Sequence, residues 1–141
     1  MKREYIPLII QGCGLVHCSI LIASAMVPRV LDWRGKLAVL HPFLRKLFWV
    51  YGVFVVMTIV GMGAISLGCA HEIAAASPLA RAFCAFVAIF WFARLAVQFF
   101  VFDASEFLTT WWLRLGYHAL TIAFTLLPMP YALIAAGVWK S

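Results

Sequence analysis

Carboxylates are scarce in this chain: 5 Asp and Glu among 141 residues, with charged residues of both signs reaching only 11%. Soluble domains carry roughly 25% charged residues, so no ordinary water-facing shell can be built from this composition. The shortage excludes a soluble enzyme, a nucleic-acid module and a disordered tail. There is no HExxH, no paired CxxC, no acidic cluster and no glycine-rich phosphate loop, so no motif signals a metal or nucleotide. The net charge of +6 is therefore read as membrane topology, and no nucleic-acid partner is expected.

What is abundant is hydrocarbon. Hydrophobic residues make up 66% of the chain, and mean hydropathy is +1.03. The length suits a single domain. Pro, Gly and charge divide it into four apolar runs, 6–27, 47–68, 82–102 and 115–138. Roughly 20 helical residues cross a hydrocarbon core of about 30 Å, and each run is that long. An open sheet would leave unpaired backbone edges in lipid, and the alternation of a barrel is absent. The expected fold is all-α: an antiparallel bundle of four transmembrane helices forming one membrane domain. The first run also carries signal-peptide features, Lys2, Arg3 and the small-residue site Ala23-Ser24-Ala25. Its length, Gln11 and His17 argue against cleavage, and it is read as helix one.

Lys and Arg set the orientation. Arg29, Arg34, Lys36, Arg45, Lys46 and Arg114 fall on one side, and Lys2, Arg3, Arg81 and Lys140 on the other. The richer side is expected to be cytoplasmic. The expected location is the bacterial inner membrane, with both termini outside and the 28–46 link cytoplasmic. Trp33, Trp49, Trp111 and Trp112 mark the basic side, and Tyr5 and Trp139 the other, as interfacial aromatic belts require. In the basic link, Arg29, Arg34, Lys36, Arg45 and Lys46 interleave with Leu31, Trp33, Leu37, Leu40, Phe43 and Leu44. That mixture is read as an interfacial segment held by anionic lipid headgroups. Pro42 suits the first turn of helix two, and Arg45 is spaced to meet Trp49 on one face.

Function is sought among polar groups at hydrocarbon depth. His17 lies roughly 15 Å from the basic end of helix one at helical rise. Cys13, Gly14 and Ser24 share its face, which points it toward other helices. Helix three carries Arg94 and Gln98 with Trp91 beside them. Helix four carries Arg114, His118, Thr121 and Thr125 as one stripe. Helix two offers small residues, among them Gly61, Gly63, Ala64 and Gly68. Arg94 is the most informative position, because a guanidinium at that depth is costly unless it pairs or snorkels. Asp103 and Glu106 lie at the membrane edge, so the expected counter-charge is a lipid phosphate, a haem propionate or a partner's carboxylate. Arg94, Gln98, Trp91, Arg114 and Thr121 form the candidate anion site. His17 and His118 are the candidate haem ligands, against the plainer alternative of a carbonyl-bonded histidine. His41 and His71 read as interfacial or capping residues. Cys69 and Cys84 flank the second link and could pair only in an oxidising compartment. Pro128 and Pro130 should kink helix four and open a small cavity, or simply improve its packing.

His17, the Pro28-Arg29 pair, Arg114 and Tyr117-His118 resemble the small four-helix membrane protoporphyrinogen oxidases and the copper-resistance-type membrane proteins related to them. The resemblance covers scattered positions in helices one and four. It implies a haem-related or quinone-linked redox role, with His17 the most transferable residue. Two functions are therefore carried forward. The first is a non-catalytic accessory or scaffold subunit of a larger membrane complex, or a homo-oligomer, with an anion or lipid site at Arg94. The second is a redox protein binding haem b or a quinone through His17 and His118. The first leads, because no group of residues meets a catalytic geometry from sequence alone. A fluorescent protein fused after Lys36 is expected to mature in the cytoplasm, whereas the same fusion at the C-terminus stays dark when exported through the secretory channel.

Overall fold

The computed structural model describes residues 4–101 and 108–139. Among these the structure is all-α, with α1 (Tyr5–Val30), α2 (Trp33–Leu37), α3 (Pro42–Gly68), α4 (Ala70–Ala74), α5 (Pro78–Phe100), α6 (Trp111–Leu126) and α7 (Pro128–Ala135). Four stretches are long and apolar enough to cross a membrane: α1, α3, α5 and the α6–α7 pair. The architecture is the four-helix bundle that the apolar runs imply.

Hydropathy placed each helix start late, and it carried the fourth span to 138, past the end of α7 at Ala135 where the chain turns through Gly137. In α3 the helix begins at Pro42, with the His41 ring accepting the Phe43 amide at 3.3 Å. Proline at the first helical position loses nothing, since that amide would be unbonded anyway. Arg45 and Lys46 therefore ride on the first turns of α3 and not on the link. In α5, Ser77 caps the start by accepting from Ala80 N at 3.2 Å, again ahead of a proline. Helix α1 runs through Pro28 to Val30, because lipid offers its backbone no other partners. The second link contains the short helix α4, whose Ala70, Ile73 and Ala74 are buried against the bundle. The third span's expected end at Phe102 lies outside the described residues.

The fourth span is broken at Leu127, between α6 and α7. Pro128 starts the second piece, as its missing donor and ring demand. At the break Pro128, Tyr131 and Ile134 are buried, and α7 packs along α5.

Helices α1 and α3 cross at glycine. A β-carbon on Gly14 would come within 2.7 Å of the Leu67 side chain and 3.2 Å of the Gly63 carbonyl. One on Gly63 would lie 3.1 Å from the His17 β-carbon. Small residues let membrane helices approach this closely, and dispersion contacts then hold them. The α5 contacts run antiparallel to span four: Arg81 meets Ala135, Trp91 meets Phe124, and Gln98 meets Thr121.

Burial is lopsided. The buried residues of α1 run from Ile6 to Ile20, and those of α3 from Ile59 to Ser66. Phe124 is the sole buried residue of α6. Beyond Ile20, Trp91 and Phe124 toward the basic side, Gln98 is the one buried side chain among the described residues of the spans. The bundle is packed in one half and open in the other. Gly63→Val is expected to destabilise the isolated chain by about 1–3 kcal/mol through overpacking. Gly61→Val, where no neighbour lies within 4 Å, should leave the thermal unfolding midpoint in mild detergent nearly unchanged.

Candidate functional site

Polar groups inside the packed half are joined in pairs. The His17 ring is fully buried on α1, and its Nδ1 lies 2.8 Å from the Cys13 carbonyl. A carbonyl only accepts, so Nδ1 carries the proton. Its Nε2 then accepts the Trp91 indole N–H of α5 at 3.0 Å. Each bond requires the tautomer that the other sets. The imidazole also meets Trp91 and Tyr131 edge-on, with ring centroids at 5.4 and 6.1 Å.

A second pair joins α3 to α7. Ser66 donates to the Met62 carbonyl at 2.8 Å, which leaves the Tyr131 hydroxyl to donate to Ser66 Oγ at 2.6 Å. Both residues are completely buried. A third pair lies toward the basic side, where Gln98 Nε2 donates to Thr121 Oγ1 at 2.6 Å. Thr121 in turn donates to the Tyr117 carbonyl at 2.8 Å. Among the described residues, no buried side-chain nitrogen or oxygen lacks a partner. In hydrocarbon such completeness is required, since each unmet polar group costs several kcal/mol.

The candidate anion site is only partly assembled. Trp91 and Gln98 face inward and are buried, and Gln98 meets Thr121. Arg94 stands exposed at the edge of that face, with its guanidinium 5.4 Å from the centre of the Phe124 ring. At helical pitch Arg94 falls about 60° around the axis from Trp91 and about 40° from Gln98, which puts it at the edge of their face. It sits six residues before the end of α5. A buried anion site enclosed by Arg94, Gln98 and Trp91 is therefore not what the helices build. Asp103 and Glu106 fall outside the described residues. Arg114, also exposed, donates from Nε to the Leu108 carbonyl at 3.0 Å, ahead of α6.

Haem ligation does not fit the histidines. Both nitrogens of His17 are engaged by this chain's own groups. His118 is exposed on α6, edge-on to its neighbour Tyr117 at 5.7 Å, and it does not meet His17. An axial ligand needs a free imidazole nitrogen facing the iron. The plainer alternative, a carbonyl-bonded histidine, is what the geometry shows. Among the described residues no group of three or more His, Cys, Asp or Glu side chains could hold a metal ion. All four cysteines are free thiols, with Cys84 buried and Cys69 exposed.

No family model, curated protein or solved structure matches this chain. Of the residues that carry the protoporphyrinogen-oxidase-type resemblance, His17 alone is buried.

Sequence reasoning passed over Ser66, Tyr131 and Arg81. Tyr131 carried a usable signal, because a phenol inside an apolar run must find a partner. Ser66 had none beyond its place among the small residues of α3. Arg81 was counted as one outer-side charge. In the structure its Nε and Nη2 both donate to the Ala135 carbonyl, at 3.1 and 3.0 Å. That contact closes the C-terminal end of α7, whose last carbonyls lack helical partners. Ser66→Ala, which leaves the Tyr131 hydroxyl buried without its acceptor, is expected to lower stability by roughly 1–3 kcal/mol. Adding Tyr131→Phe should restore most of the unfolding midpoint, because removing both partners is nearly neutral.

Proposed function

We propose that this chain is a non-catalytic accessory or scaffold subunit of a larger membrane assembly. The observation that carries the proposal is the outward stripe of α3. Gly61, Ala64 and Gly68 recur at helical spacing on one face, and neither glycine has a neighbour within 4 Å of an added β-carbon. The chain's own α1–α3 crossing uses Gly14 and Gly63 instead. Lipid tails gain nothing from glycine, whereas a second helix can approach closely there. Val50, Phe54 and Met57 continue the stripe toward the basic side, and all three are exposed.

The buried polar groups support the same conclusion. His17, Trp91, Ser66, Tyr131, Gln98 and Thr121 are committed to one another or to backbone carbonyls, so they serve the bundle as structure. Catalysis needs a nucleophile or base aimed into a space that a substrate can enter. The polar interior is instead closed on itself.

Membranes holding the tagged chain, solubilised in mild detergent, should yield a protein mass above its own 15.8 kDa by light scattering. An integral multiple marks a homo-oligomer, and another mass marks a second polypeptide. Gly61→Leu combined with Ala64→Leu is expected to collapse the assembly while leaving the unfolding midpoint of the isolated chain in place. A wild-type chain that runs as a monomer from native membranes would overturn the proposal.

A further inference from the structure

The pairing of polar groups inside the bundle stops short of Gln11. This residue stands six positions into α1, which begins at Tyr5, roughly 9 Å along the axis. It is half-buried, and among the described residues its carboxamide meets no partner. Ser19 on the same helix shows the contrast, since its hydroxyl donates to the Leu15 carbonyl at 3.1 Å. A carboxamide carries two donors and an acceptor, and leaving them unmet within an apolar span is costly.

At helical pitch Gln11 lies about 120° around the axis from His17, away from the core. Leu8, Gln11, Leu15, Cys18 and Ile22 follow one another at intervals of three, four, three and four, within an arc of about 80°. Leu8, Leu15 and Ile22 are exposed, and so is Cys18. Gly12 beside them has no neighbour within 4 Å of an added β-carbon. A seam of this spacing suits a second helix crossing at a shallow left-handed angle, and a single polar side chain within it fixes the register.

The amide also indicates what occupies the face. Insertion gives every copy of the chain the same orientation. Two copies joined through this one face are then related by a two-fold axis along the membrane normal, with each residue beside its own counterpart. An amide is its own complement, because the N–H of each copy can donate to the oxygen of the other. The seam from Leu8 to Ile22 holds no charge, so the pairing opposes no like charges. Lipid tails would leave the amide unmet.

We infer that the chain pairs with a second copy of itself through the Leu8–Ile22 face of α1, the two Gln11 amides bonding to each other across the axis. The inference goes beyond the accessory-subunit reading, which uses the outward stripe of α3 and leaves α1 unassigned.

Cys18 lies on the seam and reports the pairing. Native membranes holding the full-length Cys69→Ser variant, oxidised with copper phenanthroline, should yield a disulfide-linked dimer. Adding Cys18→Ser should abolish it, since Cys13 and Cys84 are buried. In mild detergent Gln11→Leu should weaken the dimer roughly tenfold while leaving the unfolding midpoint of the monomer in place, and Gln11→Asn should retain most of the pairing. Gly61→Leu with Ala64→Leu, which removes the α3 stripe, should still cross-link through Cys18. Absence of a Cys18 cross-link would overturn the inference. A Gln11→Leu dimer as tight as the wild type would do the same, assigning the amide to interfacial water. Loss of the cross-link in the α3 double variant would make α3 the interface between copies and leave the accessory reading standing. Cross-linking of Cys18 to a different polypeptide would reassign the face to a partner chain.

Discussion

The bond between His17 and Trp91 is the constraint on which the rest of the bundle depends. An imidazole buried at that depth has no water to turn to, so both nitrogens must be answered by protein. One is met within α1 by the Cys13 carbonyl, and the other only if α5 brings its indole to the same level. Helices α1 and α3 already adhere through Gly14 and Gly63, and α5 adheres along α7. Neither contact relates one pair to the other. His17–Trp91 and Ser66–Tyr131 do, because each runs from one pair to the other. Interhelical hydrogen bonds in membranes average about 0.6 kcal/mol, so their value here is register more than adhesion.

That division explains where the packing stops. Side chains interlock from the far side as far as His17, Trp91 and Phe124. Beyond that level the faces of α3 and α6 turn outward, and Gln98–Thr121 is the remaining inward polar tie. A soluble protein could not leave so much apolar surface open. In hydrocarbon no hydrophobic effect opposes the exposure, and lipid or a second helix serves equally well as a neighbour. The open half exposes Val50, Phe54 and Met57 of α3 and carries the aromatic cluster around Trp33.

Most of the fold was legible because hydrocarbon thickness and backbone satisfaction act on length and composition, which sequence displays directly. Even the errors at helix ends follow a rule. Charged residues such as Arg45 and Lys46 end a hydropathy run, but they do not end a helix that a proline and a cap began at Pro42. The site was less legible. Depth along a helix can be counted, so His17, Trp91, Gln98 and Thr121 were all singled out. Rotation about the axis is set by the neighbours, so Arg94 was grouped with Trp91 and Gln98 although it stands at the edge of their face. Partnership across helices has no signature in one chain. Nothing in the sequence ties Ser66 to Tyr131, sixty-five positions apart, and His17 looked open to a ligand until the indole beside it was placed.

The uneven distribution of contacts has a mechanical consequence. A bundle interlocked across one leaflet and loosely associated across the other is stiff on one side and compliant on the opposite side. Changes in bilayer thickness or lateral pressure are then absorbed by tilting of the basic-side halves, while the His17 level holds its geometry as a pivot.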